Sequence, residues 1–176
     1  KNQIIFAGRL SNEKGIDTVI NIGKKLPSDI QLIILGSGPE EHKIQNLVKN
    51  KKNIAYLGYL DKNKTISLIR GSDILIQPSL TEGISSTILE SMACQTAIIA
   101  SNVGGNTELI ENGVNGILLD PQDSDSFVTQ IKSLINNEKQ RKSFENKSLE
   151  IVEKYDWNQV GKLYLNIYES ILNKLN

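Results

Sequence analysis

Short apolar runs of strand length alternate with segments of helical periodicity from the start of the chain to about residue 119. The runs are QIIFAG, IQLIILG and NIAYLG, followed by DILIQPS, AIIAS and NGILLD. They are rich in β-branched residues, and IQLIILG is apolar almost without interruption, which is typical of a strand covered on both faces. Because strands that alternate with helices join by right-handed crossovers, the chain is predicted to form one parallel sheet.

Six strands are predicted, and each but the last precedes a helix. The predicted helices occupy residues 15–26, 39–49 and 62–70, a further one begins after Ser86, and a short one lies near Glu108. From Asp123 onward the sequence predicts only helices, and we expect Trp157 and Tyr164 to pack back on the body. The fold class is α/β and doubly wound, and ligands of such sheets bind beyond the carboxyl ends of the strands.

The composition narrows the range of partners. Lys plus Arg and Asp plus Glu number 20 each in 176 residues, so no basic surface for nucleic acid or an anionic membrane is expected. A single cysteine, Cys94, allows no disulfide within the chain and favours a reducing compartment. No run approaches the roughly 20 apolar residues of a membrane span, and we expect a cytoplasmic protein. The chain enters a β-branched run without a cap or leader, which favours a piece of a longer protein.

Two phosphate-binding motifs are incomplete in this sequence. GRLSNEKG follows the first strand like a P-loop, but it lacks the Gly-Lys-Ser/Thr ending whose hydroxyl would hold magnesium. GSGPEE offers Gly36 and Gly38, yet Glu41 stands where the dinucleotide fingerprint requires a third glycine, and the motif follows the second strand. Neither an ATPase nor a nicotinamide enzyme is therefore predicted.

The loops at the predicted carboxyl edge match one family as a set. They are FAGRLSNEKGID, LGSGPE, YLGYL, DILIQPSLTEGISSTILESMA and NVGGNTELIENGVNG, in this order. Together they resemble the C-terminal, nucleotide-sugar-binding half of retaining GT-B glycosyltransferases of the glycosyl transferases group 1 type. The resemblance covers nearly the whole chain and implies a single Rossmann-like, donor-binding domain over residues 1–176, which is one half of a GT-B fold.

The resemblance assigns roles to four charged residues. It implies that Arg9 and Lys14 hold the diphosphate of the donor, that Glu90 accepts hydrogen bonds from the ribose hydroxyls, and that Glu82 is the catalytic carboxylate beside the donor sugar. Fixed cations suit a pyrophosphate leaving group, because they stabilise the charge that accumulates on it without a metal or cofactor. No metal site is expected.

The helix after Glu82 is expected to begin at the donor. Its unpaired N–H groups and its dipole favour an anionic ligand, and the resemblance implies backbone contacts to the sugar and phosphate from Gly83, Ile84, Ser85, Ser86 and Thr87. The nucleotide cleft is implied to be lined by Gly8, Gly36, Gly38 and Tyr59. Gly104 and Gly105 are interpreted as structural.

Simpler interpretations exist for several of these residues. Thr87 and Glu90 match a capping box, in which Glu90 would bond the cap's own N–H rather than a ribose. Arg9 and Lys14 could be solvated loop charges, and Tyr59 could be a half-buried packing residue.

Four further features are interpreted as structural. The DSD sequence from Asp123 is expected to start a helix rather than to bind metal. His42 is expected to be exposed, and Cys94 to be a small buried residue. Gln95 stands where relatives commonly have glycine, which leaves the end of the helix carrying Glu90 without its usual residue.

The predicted function is that of a donor-binding domain. The resemblance implies a retaining, metal-independent, hexosyltransferase-like enzyme that transfers sugar from a UDP- or GDP-sugar to a glycan, lipid or small acceptor, as in polysaccharide biosynthesis. The N-terminal acceptor domain of the family is absent, so the chain alone is expected to be inactive, and helices after Trp157 are expected to cross toward that domain. Peripheral membrane association of the longer enzyme is compatible with this prediction. A sugar-nucleotide epimerase of the same fold and a non-catalytic nucleotide-binding module are the alternatives.

Overall fold

The computed structural model describes residues 2–175, with side chains described as far as residue 172. The described strands form one parallel sheet in the order β3-β2-β1-β4-β5-β6. Their bounds are β1 Gln3–Ala7, β2 Gln31–Leu35, β3 Ile54–Tyr56, β4 Ile74–Gln77, β5 Ala97–Ser101 and β6 Ile117–Leu119. The predicted doubly wound, six-stranded, Rossmann-like sheet is confirmed. The strand order reverses between β1 and β4, and this is the point where ligands bind in such sheets.

Helices cover both faces of the sheet. Their bounds are α1 Ile16–Lys25, α2 Glu41–Asn50, α3 Lys62–Arg70, α4 Ser86–Ala93, α5 Asn106–Leu109, α6 Ser124–Asn136, α7 Glu138–Val152 and α8 Trp157–Leu175, with 3-10 turns at Asn12–Lys14 and Glu153–Tyr155. The helix at Asp123 is thereby confirmed, since the Asp123 carboxylate caps α6 by accepting from the Ser126 N–H at 3.0 Å. Two hydrogen bonds from Ser126 lower the pKa of the Asp123 carboxyl, and the bond from the Ser126 hydroxyl has the larger effect.

Alternate residues of every strand except the edge strand β3 supply the two halves of the core. In β1, Ile4 and Phe6 pack with α1, α2 and α6, whereas Ile5 and Ala7 pack with α3 and α4 on the other face. Ile4, Ile5 and Phe6 are wholly buried, and burial of an aliphatic or aromatic side chain contributes about 1.5–3 kcal/mol. A central strand buried on both faces therefore fixes the positions of the loops that leave its carboxyl end.

The final helix is the main departure from the sequence prediction. Trp157 is 85% exposed and Tyr164 is 57% exposed, so the expectation that they pack on the body is wrong. Within α8, only Val160 and Gly161 among residues 157–172 are partly buried. No helix in the described part of the chain has the length and apolar character needed to cross a membrane.

The helix that carries Glu90 ends tightly without glycine. Gln95 adopts the left-handed conformation at φ 54°, its N–H bonds the Met92 carbonyl at 3.1 Å, and the Thr96 N–H bonds the Ser91 carbonyl at 3.0 Å. This pair of bonds is the one that glycine usually closes. The tight helix end therefore forms, at the cost of a strained side-chain-bearing residue.

Candidate functional site

A cleft of about 500 Å³ opens at the carboxyl ends of β1, β2 and β3. Its walls include Gly8, Arg9, Gly36, Gly38, Tyr59 and Thr87. The structure thus brings together all four residues predicted to line the nucleotide cleft, although their contact with a nucleotide remains a prediction. Tyr59 is 77% exposed, so the interpretation of Tyr59 as a half-buried packing residue is wrong.

The floor of this cleft depends on a close backbone approach. Gly36 adopts φ 124°, and a Cβ there would lie 1.8 Å from the Gly8 carbonyl oxygen, so only glycine lets these two loops touch. The Tyr56 hydroxyl donates to the Gly36 carbonyl at 2.9 Å and fixes its orientation. Burial and, to a smaller extent, Glu41 raise the pKa of Tyr56, which keeps this hydroxyl a donor. The sequence analysis missed Tyr56, since a tyrosine in an apolar strand gives no sign of a polar partner.

Lys14 and Glu82 form the closest charged contact at this edge of the sheet. The Lys14 ammonium donates to both carboxylate oxygens of Glu82, at 2.7 and 2.6 Å. The Glu82 side chain is 8% exposed and that of Lys14 is 26% exposed. The interpretation of Lys14 as a solvated loop charge is therefore wrong. The residue predicted to bind diphosphate is paired with the residue predicted to be catalytic.

Arg9 presents the opposite situation. Its side chain is exposed on the wall of the cleft, and no described residue holds its guanidinium by a hydrogen bond or ion pair. The guanidinium therefore keeps all five of its donors. The predicted role of Arg9 in binding diphosphate stays a prediction.

Two buried polar residues also donate hydrogen bonds to the Glu82 carboxylate. The Gln77 side-chain amide donates to Oε1 of Glu82 at 2.9 Å, and the Ser79 hydroxyl lies 3.4 Å from the same oxygen. Gln77 and Ser79 are 1% and 0% exposed. Neither residue was among the predicted site residues, although a glutamine that ends the otherwise apolar β4 was a usable signal.

The loop after β5 supports the backbone on either side of Glu82. The Gly105 N–H donates to the Glu82 carbonyl at 3.0 Å. A Cβ on Gly104, which has φ 46°, would lie 2.0 Å from that same carbonyl oxygen. This contact explains the paired glycines, because any side chain at Gly104 would displace the loop that carries Glu82. The interpretation of these glycines as structural agrees with this packing.

The first residues of α4 show which side chain caps this helix and which N–H groups remain free. Ser85 is the N-cap, and its hydroxyl accepts from the Ile88 N–H at 3.4 Å. The capping box predicted between Thr87 and Glu90 is therefore wrong, since Glu90 lies beyond the first turn. In the described structure, no protein group accepts from the backbone N–H groups of residues 83–87. Five donors are thus available at a helix N-terminus, where the dipole favours an anion.

Glu90 is half-buried and weakly held. Its side chain is 25% exposed, and Oε1 lies 3.5 Å from the ammonium of Lys62, which is 76% exposed. Thr87 lies in the wall of the nucleotide cleft, and Glu90, one turn further along α4, lies in the wall of a neighbouring groove of about 820 Å³. The structure therefore places Glu90 beside the cleft rather than among the residues that line it, and the ribose role stays a prediction.

The remaining residues singled out in the sequence lie away from this edge. His42 is exposed, as predicted. Cys94 is half-buried rather than fully buried, with its Sγ 3.9 Å from the Ile66 carbonyl oxygen. In the part of the chain that the structure describes, no three His, Cys, Asp or Glu side chains form a group that could hold a metal ion.

The fold and the site together define a Rossmann-like domain whose switch point presents cations and free helix N–H groups to a ligand. Residues 1–150 match the family model of the glycosyl transferases group 1, and the chain belongs to this family. An uncharacterized glycosyltransferase of Methanocaldococcus jannaschii is 34% identical over 98% of this chain and 46% of its own length. The chain thus spans about half the length of the curated relatives it matches.

Solved structures share the fold. The structure of Anabaena HepE in complex with UDP-glucose has a TM-score of 0.87 at 21% identity, covering 97% of this chain and 49% of that one. The C-terminal domain of a group 1 glycosyl transferase (LpcC) from Francisella tularensis has a TM-score of 0.75 at 28% identity, covering 88% of this chain and 86% of that one. The structural neighbours are GT-B glycosyltransferases, and the predicted resemblance is confirmed.

Proposed function

We propose that this chain is the donor-binding domain of a retaining, metal-independent glycosyltransferase that uses a nucleoside-diphosphate sugar. The observation that carries the proposal is the pairing of Lys14 with Glu82 directly ahead of the free N–H groups that begin α4. A cation, a carboxylate and a helix N-terminus at one point suit a ligand that is anionic at one end and hydroxylated at the other. The presence of UDP-glucose in the HepE structure supports this ligand class.

Arg9, Lys14 and the start of α4 would bind the diphosphate. Arg9 has free donors, Lys14 is partly exposed, and the N–H groups of residues 83–87 lack protein acceptors in the described structure. As the glycosidic bond breaks, negative charge accumulates on the leaving diphosphate. Donors that are already oriented stabilise this charge with little reorganisation, which is why the proposal needs no metal.

Glu82 and Glu90 would contact opposite ends of the donor. Glu82 lies beside the residues assigned to the phosphate, and its carboxylate would accept from sugar hydroxyls or stabilise positive charge at the reacting carbon. Glu90 would accept from the ribose hydroxyls, and to do so it would exchange its 3.5 Å contact with Lys62 for the ligand. The base would lie in the cleft near Gly36, Gly38 and Tyr59.

The acceptor would be a glycan, a lipid or a small molecule, held by an N-terminal domain of a longer protein. About half the length of the relatives lies outside the match. Beyond Val160, α8 exposes Tyr164, Ile167, Tyr168 and Ile171 at helical spacing. We infer that this face packs on the acceptor domain. A role in polysaccharide biosynthesis, hexosyl specificity, a cytoplasmic location and peripheral membrane contact of the longer enzyme belong to the same proposal.

Calorimetry with UDP, GDP and their sugars tests the binding function directly. The chain holds one side of the cleft, so we expect dissociation constants between roughly micromolar and millimolar, or about 4–8 kcal/mol of binding free energy. Binding should persist in EDTA, and the chain alone should transfer no sugar. Absence of binding at millimolar nucleoside diphosphate would refute the proposal. Release of nucleoside diphosphate without an acceptor would instead favour the epimerase.

A further inference from the structure

Gln77 is a buried amide with one half of its hydrogen-bonding capacity unused. Its Nε2 donates to Glu82 Oε1 at 2.9 Å and to the Ser79 hydroxyl at 3.2 Å. Its Oε1 is buried and has no hydrogen-bond partner among the described residues. Buried polar atoms are almost always paired, so an unpaired one requires an explanation.

The carboxylate of Glu82 provides that explanation. An ionised carboxylate only accepts hydrogen bonds, so the NH₂ end of the amide must face it. Turning the amide over would place its oxygen against Glu82 Oε1, so that two acceptors would face each other. The orientation of Gln77 therefore gives the Glu82 carboxylate a donor and leaves Gln77 Oε1 without one.

The position of Gln77 is fixed by the sheet. The residue ends β4, where it is paired with Ala100 of β5. The Ser101 hydroxyl, at the end of β5, donates to the Ser79 carbonyl at 2.6 Å, and the Asn106 amide donates to the Ser101 carbonyl at 3.0 Å. These bonds tie the loop after β4 to β5 and to the start of α5. The Gln77 amide that donates to Glu82 therefore belongs to the sheet itself, and the loop that follows it is tied to β5.

The two oxygens of Glu82 are used unequally. Oε1 accepts from Lys14 and Gln77 and lies near the Ser79 hydroxyl, whereas Oε2 accepts from Lys14 alone among the described residues. Oε2 therefore keeps acceptor capacity for a ligand hydroxyl. If Lys14 turns to a diphosphate, Gln77 and Ser79 are the donors in the described structure that still hold Glu82.

We propose that Gln77 is a positioning residue, which holds Glu82 at the sugar end of the cleft while Lys14 engages the diphosphate. This inference rests on the proposed function. In this proposal, Glu82 keeps its position for the sugar because Gln77 holds it, even when Lys14 leaves Glu82 to bind the diphosphate. Gln77 itself is too deeply buried to touch the donor.

The test compares Gln77→Met with a matched control, Thr96→Val. Thr96 is also buried at 1% exposure and its hydroxyl donates to the Ile69 carbonyl at 2.9 Å, but it precedes β5 at the opposite edge of the sheet. Dissociation constants are measured for UDP, GDP, UDP-glucose, UDP-N-acetylglucosamine and GDP-mannose. We expect Gln77→Met to weaken the preferred sugar donor at least about fivefold relative to its bare diphosphate, and Thr96→Val to leave that ratio unchanged. An unchanged ratio in Gln77→Met, or an equal change in both variants, overturns the proposal.

A double-mutant cycle in the unliganded chain tests the contact without any ligand. Urea unfolding of Gln77→Met, Glu82→Met and the double variant should show a coupling of at least about threefold in the unfolding equilibrium constant, because methionine at either position removes the hydrogen bond between the two side chains. Coupling below that value overturns the positioning role, even if donors bind. If the cycle shows the coupling but wild-type protein binds no nucleoside diphosphate, the proposed function fails and the sugar role of Gln77 fails with it. The two failures are therefore distinguishable.

Discussion

Glu82 and Glu90 are the same residue type, eight positions apart around the start of α4, yet they differ in almost every physical respect. The Glu82 side chain is 8% exposed and accepts from Lys14 and Gln77 within 2.9 Å. The Glu90 side chain is 25% exposed and has one ammonium 3.5 Å away, on a lysine that is itself 76% exposed. The Glu82 carboxylate is therefore part of the folded core, whereas the Glu90 carboxylate can still accept hydrogen bonds from a ligand.

The two glutamates should therefore have separable effects on folding and on ligand binding. Removing a partner from a buried pair leaves a desolvated charge, which is strongly destabilising. Removing a partner from an exposed pair changes stability little, because water replaces it. Substitution of Glu82 should therefore lower the free energy of unfolding, whereas substitution of Glu90 should change ligand affinity alone.

The largest effect should follow from Lys14→Met. Glu82 would keep Gln77 and Ser79 but lose its only described cation, so we expect the free energy of unfolding to fall by about 2–4 kcal/mol. This is less than for a fully buried pair, since Lys14 is 26% exposed and water can approach. Urea denaturation measures the change. Arg9→Met is the matched control, because Arg9 holds no described residue: its stability should equal wild type, while UDP affinity should fall about tenfold in both variants. Equal stability of Lys14→Met and wild type would contradict the comparison.

The next effect in size concerns binding. Glu90→Gln should weaken UDP or GDP binding by about 1.5–3 kcal/mol, the range for a hydrogen bond to a charged group, and should leave the melting temperature of the free chain unchanged. Calorimetry and thermal denaturation measure the two quantities. Glu82→Gln should do the reverse: it should lower apo stability, keep near-normal affinity for the bare diphosphate and weaken discrimination among sugars. A Glu90→Gln variant that loses a kcal/mol or more of stability at unchanged affinity would show that Glu90 is structural.

The fold was predictable from the sequence because its signals are local. Alternating β-branched runs and helical periods specify strands and helices within a few residues of one another, and the crossover rule then leaves one kind of sheet. The error at Trp157 and Tyr164 has a different origin. Apolar residues at helical spacing indicate that a helix face is covered in its final context, but they do not say by which surface.

The site was predictable as a set of residues and less so as a set of contacts. Lys14 and Glu82 are 68 residues apart in sequence, and no local pattern could show that they pair in the free chain. The capping box at Thr87 failed because Ser85 caps the helix two residues earlier, within the usual uncertainty of helix boundaries. Gln77 was missed because its partner follows it across a loop whose shape depends on Gly104.

A smaller effect is expected at the far end of α4, away from both carboxylates. Gln95 holds the left-handed position at φ 54°, which costs a residue with a side chain about 1–2 kcal/mol. Gln95→Gly should therefore raise the free energy of unfolding by about 0.5–1 kcal/mol, after the greater entropy of unfolded glycine is included. Urea denaturation tests this gain, and UDP affinity should not change. Gln95→Ala serves as control, since alanine keeps the strain and loses only the weak exposed contact to Asn146 at 3.4 Å. Equal gains in both variants would place the strain elsewhere.

The smallest effect should come from Lys62→Met, which removes the one ammonium near Glu90 among the described side chains. An exposed pair at 3.5 Å contributes little, so the free energy of unfolding should change by less than about 0.5 kcal/mol. UDP affinity should stay the same or rise up to about twofold, because Glu90 no longer has to exchange this contact for the ribose. Lys64→Met is the control on the same helix, since Lys64 pairs with Asp61 instead. A stability loss in Lys62→Met as large as that in Lys14→Met would mean that Glu90 also belongs to the folded core. The contrast between the two glutamates would then be one of exposure alone, without a consequence for folding.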